Sequence, residues 1–134
     1  MKEYVFLRIN ERFKNIFCNE NLNSFLELYY RREESVFYKE QFRIFLEKNK
    51  QKEIINYLKS KLKNREGIKI ENNKIFILNQ YNDTNESLEL CDNYLKINGE
   101  FENSIFGKFL SEYDSTFLMI DVNNNKIERL SLVN

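Results

Sequence analysis

The side chains able to do chemistry in this 134-residue chain are carboxylates, lysines and two thiols; there is no histidine. The chain thus lacks the group that ordinarily moves protons near neutral pH, binds zinc or completes a nucleophilic triad. Cys18 and Cys91 follow no metal or redox spacing, and both read as buried free thiols. Gly67, Gly99 and Gly107, the three glycines, form no phosphate loop. Paired acids remain: Glu33 with Glu34, Glu100 with Glu102, and Asp114 with Asp121. Two carboxylates can hydrolyse a glycoside or hold a divalent cation. The same acids suit helix N-termini and turns, and that role takes precedence. The chain is therefore expected not to be an enzyme and to need no cofactor or metal.

Charge balances overall, with Lys+Arg 21 and Asp+Glu 21, but it is unevenly spread. Residues 48–66 carry seven Lys/Arg against two Glu, and residues 81–114 carry eight acids against two Lys. A basic helix over 48–65 could neutralise phosphates. Zero net charge and the lack of a basic-aromatic recognition motif point away from direct nucleic-acid binding. No apolar run reaches the roughly 20 residues a membrane helix needs. The segment from Met1 to Tyr4 has no signal-peptide layout, so a cytoplasmic location is expected. The absence of Ala and Pro beside abundant Asn fits an AT-rich genome, so Asn-rich stretches need no functional reading. The 12 Phe and 8 Tyr are the side chains that dominate cores and contact surfaces, and they suggest work by contact.

Tyr4 to Ile9 alternates with apolar residues on both faces, which predicts a strand inside a sheet. Asn10 caps a helix expected over Glu11–Cys18, with Phe13, Ile16 and Phe17 on one side. Eight residues cannot bury all of these, so Phe13 and Phe17 are either contact residues or ordinary core. Leu22, Phe25, Leu26 and Tyr29 form the stripe of a second helix. Residues 31–35 read as a turn, and the aromatic and branched content of Gln41–Leu46 predicts a strand. Lys50–Asn64 reads as a helix with Ile54, Ile55, Leu58 and Leu62 inward. A hairpin over Ile68–Leu78 turns at Asn72–Asn73, and Glu86–Cys91 pairs with Tyr94–Ile97. A helix is expected over Glu100–Tyr113, then strands over Thr116–Asp121 and Ile127–Val133. The expected fold is one α/β (α+β) domain over 1–134, a mixed β-sheet with three to four packed helices.

Several strings resemble the sporulation inhibitor of replication (SirA) family. They are Tyr4 through Phe17, then Phe25–Tyr30, and best Asn98–Leu130, with Gly99-Glu100-Phe101-Glu102 and Phe117 through Asn123. Together they span about half the chain, and their order and spacing carry the likeness more than any one string. The resemblance implies a protein that binds domain I of the replication initiator DnaA and blocks chromosome replication at the onset of sporulation, without cofactor or catalysis. It implies contact residues at Phe13 and Phe17, and at Gln41 in the second-strand region. Where the family can carry Tyr-Gly-Trp ahead of a Leu, this chain has Ile127-Glu128-Arg129 ahead of Leu130. Truncating Phe13 or Phe17 to Ala should then abolish binding with the melting temperature nearly unchanged. The alternatives are a phage or mobile-element inhibitor of another host protein, and a small nucleic-acid-associated protein using the basic helix.

Overall fold

In the computed structural model, Lys2–Leu7 forms β1, and its alternation decides the whole layout. The model describes residues 2–15, 21–48, 51–78, 84–100, 104–114 and 116–129. Val5 and Leu7 face one core cluster; Tyr4 and Phe6 face another on the opposite side of the sheet. A strand buried on both sides needs cover on both. Helices α1 (Leu22–Arg31) and α2 (Val36–Phe45) supply it on one face, and α3 (Gln51–Leu62) and α4 (Ile105–Tyr113) on the other.

The remaining strands are β2 (Ile68–Glu71), β3 (Lys74–Leu78), β4 (Thr84–Leu90), β5 (Tyr94–Gly99), β6 (Leu118–Asp121) and β7 (Lys126–Arg129). The seven strands lie in the order β2-β3-β4-β5-β1-β6-β7. The α+β class read from the sequence is what is observed, with four α-helices among the described residues. The sheet, expected to be mixed, is antiparallel at every pairing, because each neighbouring pair runs in opposite directions. β1 sits inside it, between β5 and β6. No described helix is long and apolar enough to cross a membrane.

The stripe expected on the second helix is the buried face of α1: Leu22, Phe25, Leu26 and Tyr29. Ile54, Leu58 and Leu62 anchor α3 in the same way. Asn72 and Asn125 take positive φ in the turns before β3 and β7, where the short amide side chain tolerates a left-handed backbone. Gly67 also has positive φ, and a Cβ there would collide with the Leu78 carbonyl.

Three expectations change. Glu11–Phe13 is a single 3-10 turn, not the start of an established α-helix; Ile16, Phe17 and Cys18 lie outside the described residues. Gln41–Leu46 is helical up to Phe45 instead of a strand. The last helix starts at Ile105, not Glu100, because the Ser104 hydroxyl caps it by accepting from the Gly107 N–H at 2.8 Å. Glu100 is not helical, and residues 101–103 lie outside the described set, as does 130–134 of the last expected strand.

Candidate protein-docking surface

Ser35 starts α2: its Oγ accepts from the Tyr38 N–H at 3.2 Å. From there the helix period, not β-propensity, decides which side chains turn inward. Tyr38, Phe42 and Phe45 recur at steps of four and three, and Phe42 is the one buried residue of α2. Phe42 packs 5.6 Å from both the Phe25 and Tyr29 rings. The strand reading survives only at Leu46, which forms an isolated bridge to Ile9.

The opposite face of α2 is apolar and open. Val36 is 78% exposed, Phe37 65% and Ile44 50%. Phe37 and Ile44 are seven residues apart, two turns, and so share a face. Gln41 lies beside them, half-buried, and one turn before Phe45. Phe45 in turn meets the ring of Phe13 edge-on, 4.9 Å between centroids. The 3-10 turn is held against α2 by the backbone as well: the Asn10 N–H donates to the Phe45 carbonyl at 2.7 Å, and the Glu47 N–H to that of Arg8 at 2.8 Å. Of the residues singled out from the resemblance, Phe13 packs on Phe45, one turn from Gln41 on α2, while Phe17 lies outside the described residues.

The surface is rimmed by charge. Glu40 and Arg43 approach at 3.8 Å, and Arg31 bridges Glu27 at 3.1 Å while donating to the Tyr38 hydroxyl at 3.1 Å. An apolar centre with a polar rim is the ordinary anatomy of a protein interface. Covering Phe37 and Ile44 would contribute on the order of 1–2 kcal/mol each from buried area. The loop into α2 is pinned by Arg32, whose guanidinium lies 3.8 Å from the Tyr29 ring centroid and donates to the Tyr29 carbonyl at 2.7 Å. Burial raises the Tyr29 hydroxyl to about 12, against the opposing pull of Arg32, so it stays neutral at physiological pH.

Phe37 and Ile44 escape a sequence reading that makes 31–35 a turn and 41–46 a strand. Ser35 ahead of a seven-residue apolar interval was the available signal. Among the described residues the carboxylates have separate roles, and Glu102 of the Glu100–Glu102 pair lies outside them. Asp114 bonds Arg8 and Thr116, Asp121 accepts from Asn124, and Glu33 and Glu34 are exposed. Among the described residues no group of three or more His, Cys, Asp or Glu could hold a metal ion. Cys91 is a half-buried free thiol, and Cys18 lies outside the described residues. No protein-family model matches the chain, and no curated protein matches it.

Proposed function

We propose that this protein inhibits the initiation of chromosome replication by binding domain I of the initiator DnaA at the onset of sporulation. The observation that carries the reading is the meeting of Phe13 with Phe45 one turn from Gln41, on a helix whose outer face exposes Phe37 and Ile44. The resemblance implies contacts at Phe13 and Gln41; Gln41 lies on α2 beside the exposed Phe37 and Ile44, and Phe13 packs against Phe45 at the end of the same helix. Inhibition would be steric: the apolar strip seats against the initiator domain and masks it. Neither cofactor nor catalysis is needed. The test is capture of purified DnaA domain I from the same organism by the full chain, with Phe37→Ser as the control that should fail. Absence of binding by the wild-type chain would end this reading.

A second reading, nucleic-acid association, is favoured by Lys52 and Lys59, exposed at helical spacing along α3 on the other side of the sheet, and by Lys63, exposed in the turn that follows it. Binding to random duplex that weakens steeply with salt would support it.

A further inference from the structure

β2 is an edge of the sheet: β3 lies on one side of it, and among the described residues no strand lies on the other. The register fixes where its backbone groups point. Ile68 opposes Ile77, Lys69 opposes Phe76, Ile70 opposes Ile75 and Glu71 opposes Lys74. Next to them, the Leu78 N–H donates to the Gly67 carbonyl at 2.7 Å. Hydrogen-bonded pairs alternate with non-bonded ones along an antiparallel ladder. Lys69 and Glu71 therefore spend their backbone groups on β3, while Ile68 and Ile70 point theirs outward.

The side chains alternate as well. Ile68 is half-buried against the core beneath α3 and α4, and Ile70, next along the same face, is 43% exposed. Lys69 and Glu71 stand exposed on the other face, joined by an ion pair of 2.9 Å. An open edge with an uncovered isoleucine is a template for another strand. Charges on such an edge ordinarily repel a second copy, but the order of these two selects one.

In a two-fold antiparallel pair, outward backbone groups must meet outward backbone groups. Centring the pair on Lys69 sets lysine against lysine, and centring it on Glu71 sets glutamate against glutamate. Centring it on Ile70 sets Ile70 against Ile70 and each Lys69 against the second copy's Glu71. The two Ile70 residues then exchange their free backbone bonds and cover each other's side chain. Both charge pairs fall at the non-bonded positions, where opposed side chains come closest. Asn72, with its positive φ, turns the chain away and ends the ladder. Such a contact is isologous, so it closes at two copies.

We infer that β2 pairs with β2 of a second copy of this chain, antiparallel and centred on Ile70, to form a symmetric dimer with one continuous sheet. The edge is short beside a standard interface, so the dimer is weak and forms at high protein concentration. It uses no residue of the α2 surface and does not depend on the proposed function.

The test is sedimentation of the full chain from micromolar to millimolar concentration. The wild type should pass from monomer to dimer. Lys69→Glu or Glu71→Lys sets like charges against each other twice and should weaken the dimer about tenfold. The double exchange, Lys69→Glu with Glu71→Lys, should restore it, as should an equal mixture of the two single variants. Both side chains are exposed and an exposed ion pair contributes little, so all variants should melt like the wild type. Phe37→Ser should dimerise as the wild type does. A wild type still monomeric at millimolar concentration would leave the edge to a strand of another protein and overturn the inference. So would a dimer indifferent to both single exchanges, one lost in the double exchange, or one lost in Phe37→Ser, which would place the self-contact on α2.

Discussion

Phe13 and Phe45 meet edge-on, their ring planes at 88° and their centroids 4.9 Å apart, so the turn after β1 and the last turn of α2 are packed as one unit. Both rings are half-buried. This alters what truncation of Phe13 should do. An aromatic pair of this geometry contributes about 0.5–1.5 kcal/mol beyond area burial. Phe13→Ala should therefore lower stability by about 1–2 kcal/mol as well as weaken binding of DnaA domain I. The sequence-based expectation of an unchanged melting temperature does not fit this packing. Phe13→Leu, which keeps most of the apolar volume, should recover most of the stability in denaturant titration. A Phe13→Ala variant that melts with the wild type would mean the ring pair is not formed in solution.

The cleaner probes of docking are Phe37 and Ile44, because both are exposed, the Phe37 ring meeting that of Tyr38 at 5.5 Å. Phe37→Ser and Ile44→Ser should leave the unfolding midpoint within about 0.5 kcal/mol of wild type. If the α2 face is the docking site, Phe37→Ser should weaken binding of domain I by about 2 kcal/mol, some thirtyfold. Gln41→Ala should cost about 1 kcal/mol or less, as expected for a polar group that fixes register. Surface binding measurements on the three variants check this. Full affinity in Phe37→Ser and Ile44→Ser together would move the contact off α2.

The sheet was readable because its signals are local. Alternation in β1, the Asn turns and the stripe of α1 each lie within one short window, and each element is near where it was expected. The α2 face was not readable, because Gln41-Phe42-Arg43-Ile44-Phe45 carries the side chains of a strand. What makes it helical is the Ser35 cap together with the fit of Phe42 between Phe25 and Tyr29, a tertiary fact. The late start of α4 was hidden similarly, since the group that receives its first N–H donors, Glu86, lies in β4. Phe13 stood out in the sequence as contact or core, Gln41 only through resemblance, and nothing in their spacing predicted that Phe13 would pack on Phe45, one turn from Gln41.

The Arg8–Asp114 pair sets an acid limit on stability. Burial pushes the Asp114 carboxyl up, but the Thr116 hydroxyl and N–H with the Arg8 guanidinium outweigh it, and it titrates below the ordinary aspartate range. A depressed folded value means the contribution is present above the unfolded range and is lost as pH falls through the lowered value. Asp114→Asn keeps an oxygen for Thr116 but removes the charge, and should cost about 1–3 kcal/mol at neutral pH. The gap between wild type and variant should close on acidification, as followed by chemical denaturation across pH. A gap independent of pH would show that the charge on Asp114 contributes nothing.

Glu86 gives the opposite sign. It is the buried charged residue among those described, 4% exposed, and it receives the Ser104 hydroxyl, the Ile105 N–H at 2.9 Å and the Phe106 N–H at 3.2 Å. The carboxylate thus ties β4 to the start of α4, where the helix dipole also favours negative charge. Burial nevertheless dominates and raises its titration above the ordinary glutamate range, with the three donors pulling back. A raised folded value means the contribution is fully present below the unfolded range and declines as pH rises through the folded one. Glu86→Gln replaces one acceptor oxygen with an amide that opposes an N–H donor, and should cost about 1–2 kcal/mol in mild acid. The wild type's advantage over Gln should shrink as pH rises between the ordinary and the raised value. Glu86→Ala, which strands Ser104, Ile105 and Phe106 donors at once, should cost more than Gln at every pH. Parallel denaturation curves for the three proteins across that window decide the matter: an advantage that grows with pH would mean the donors, not burial, control the proton on Glu86.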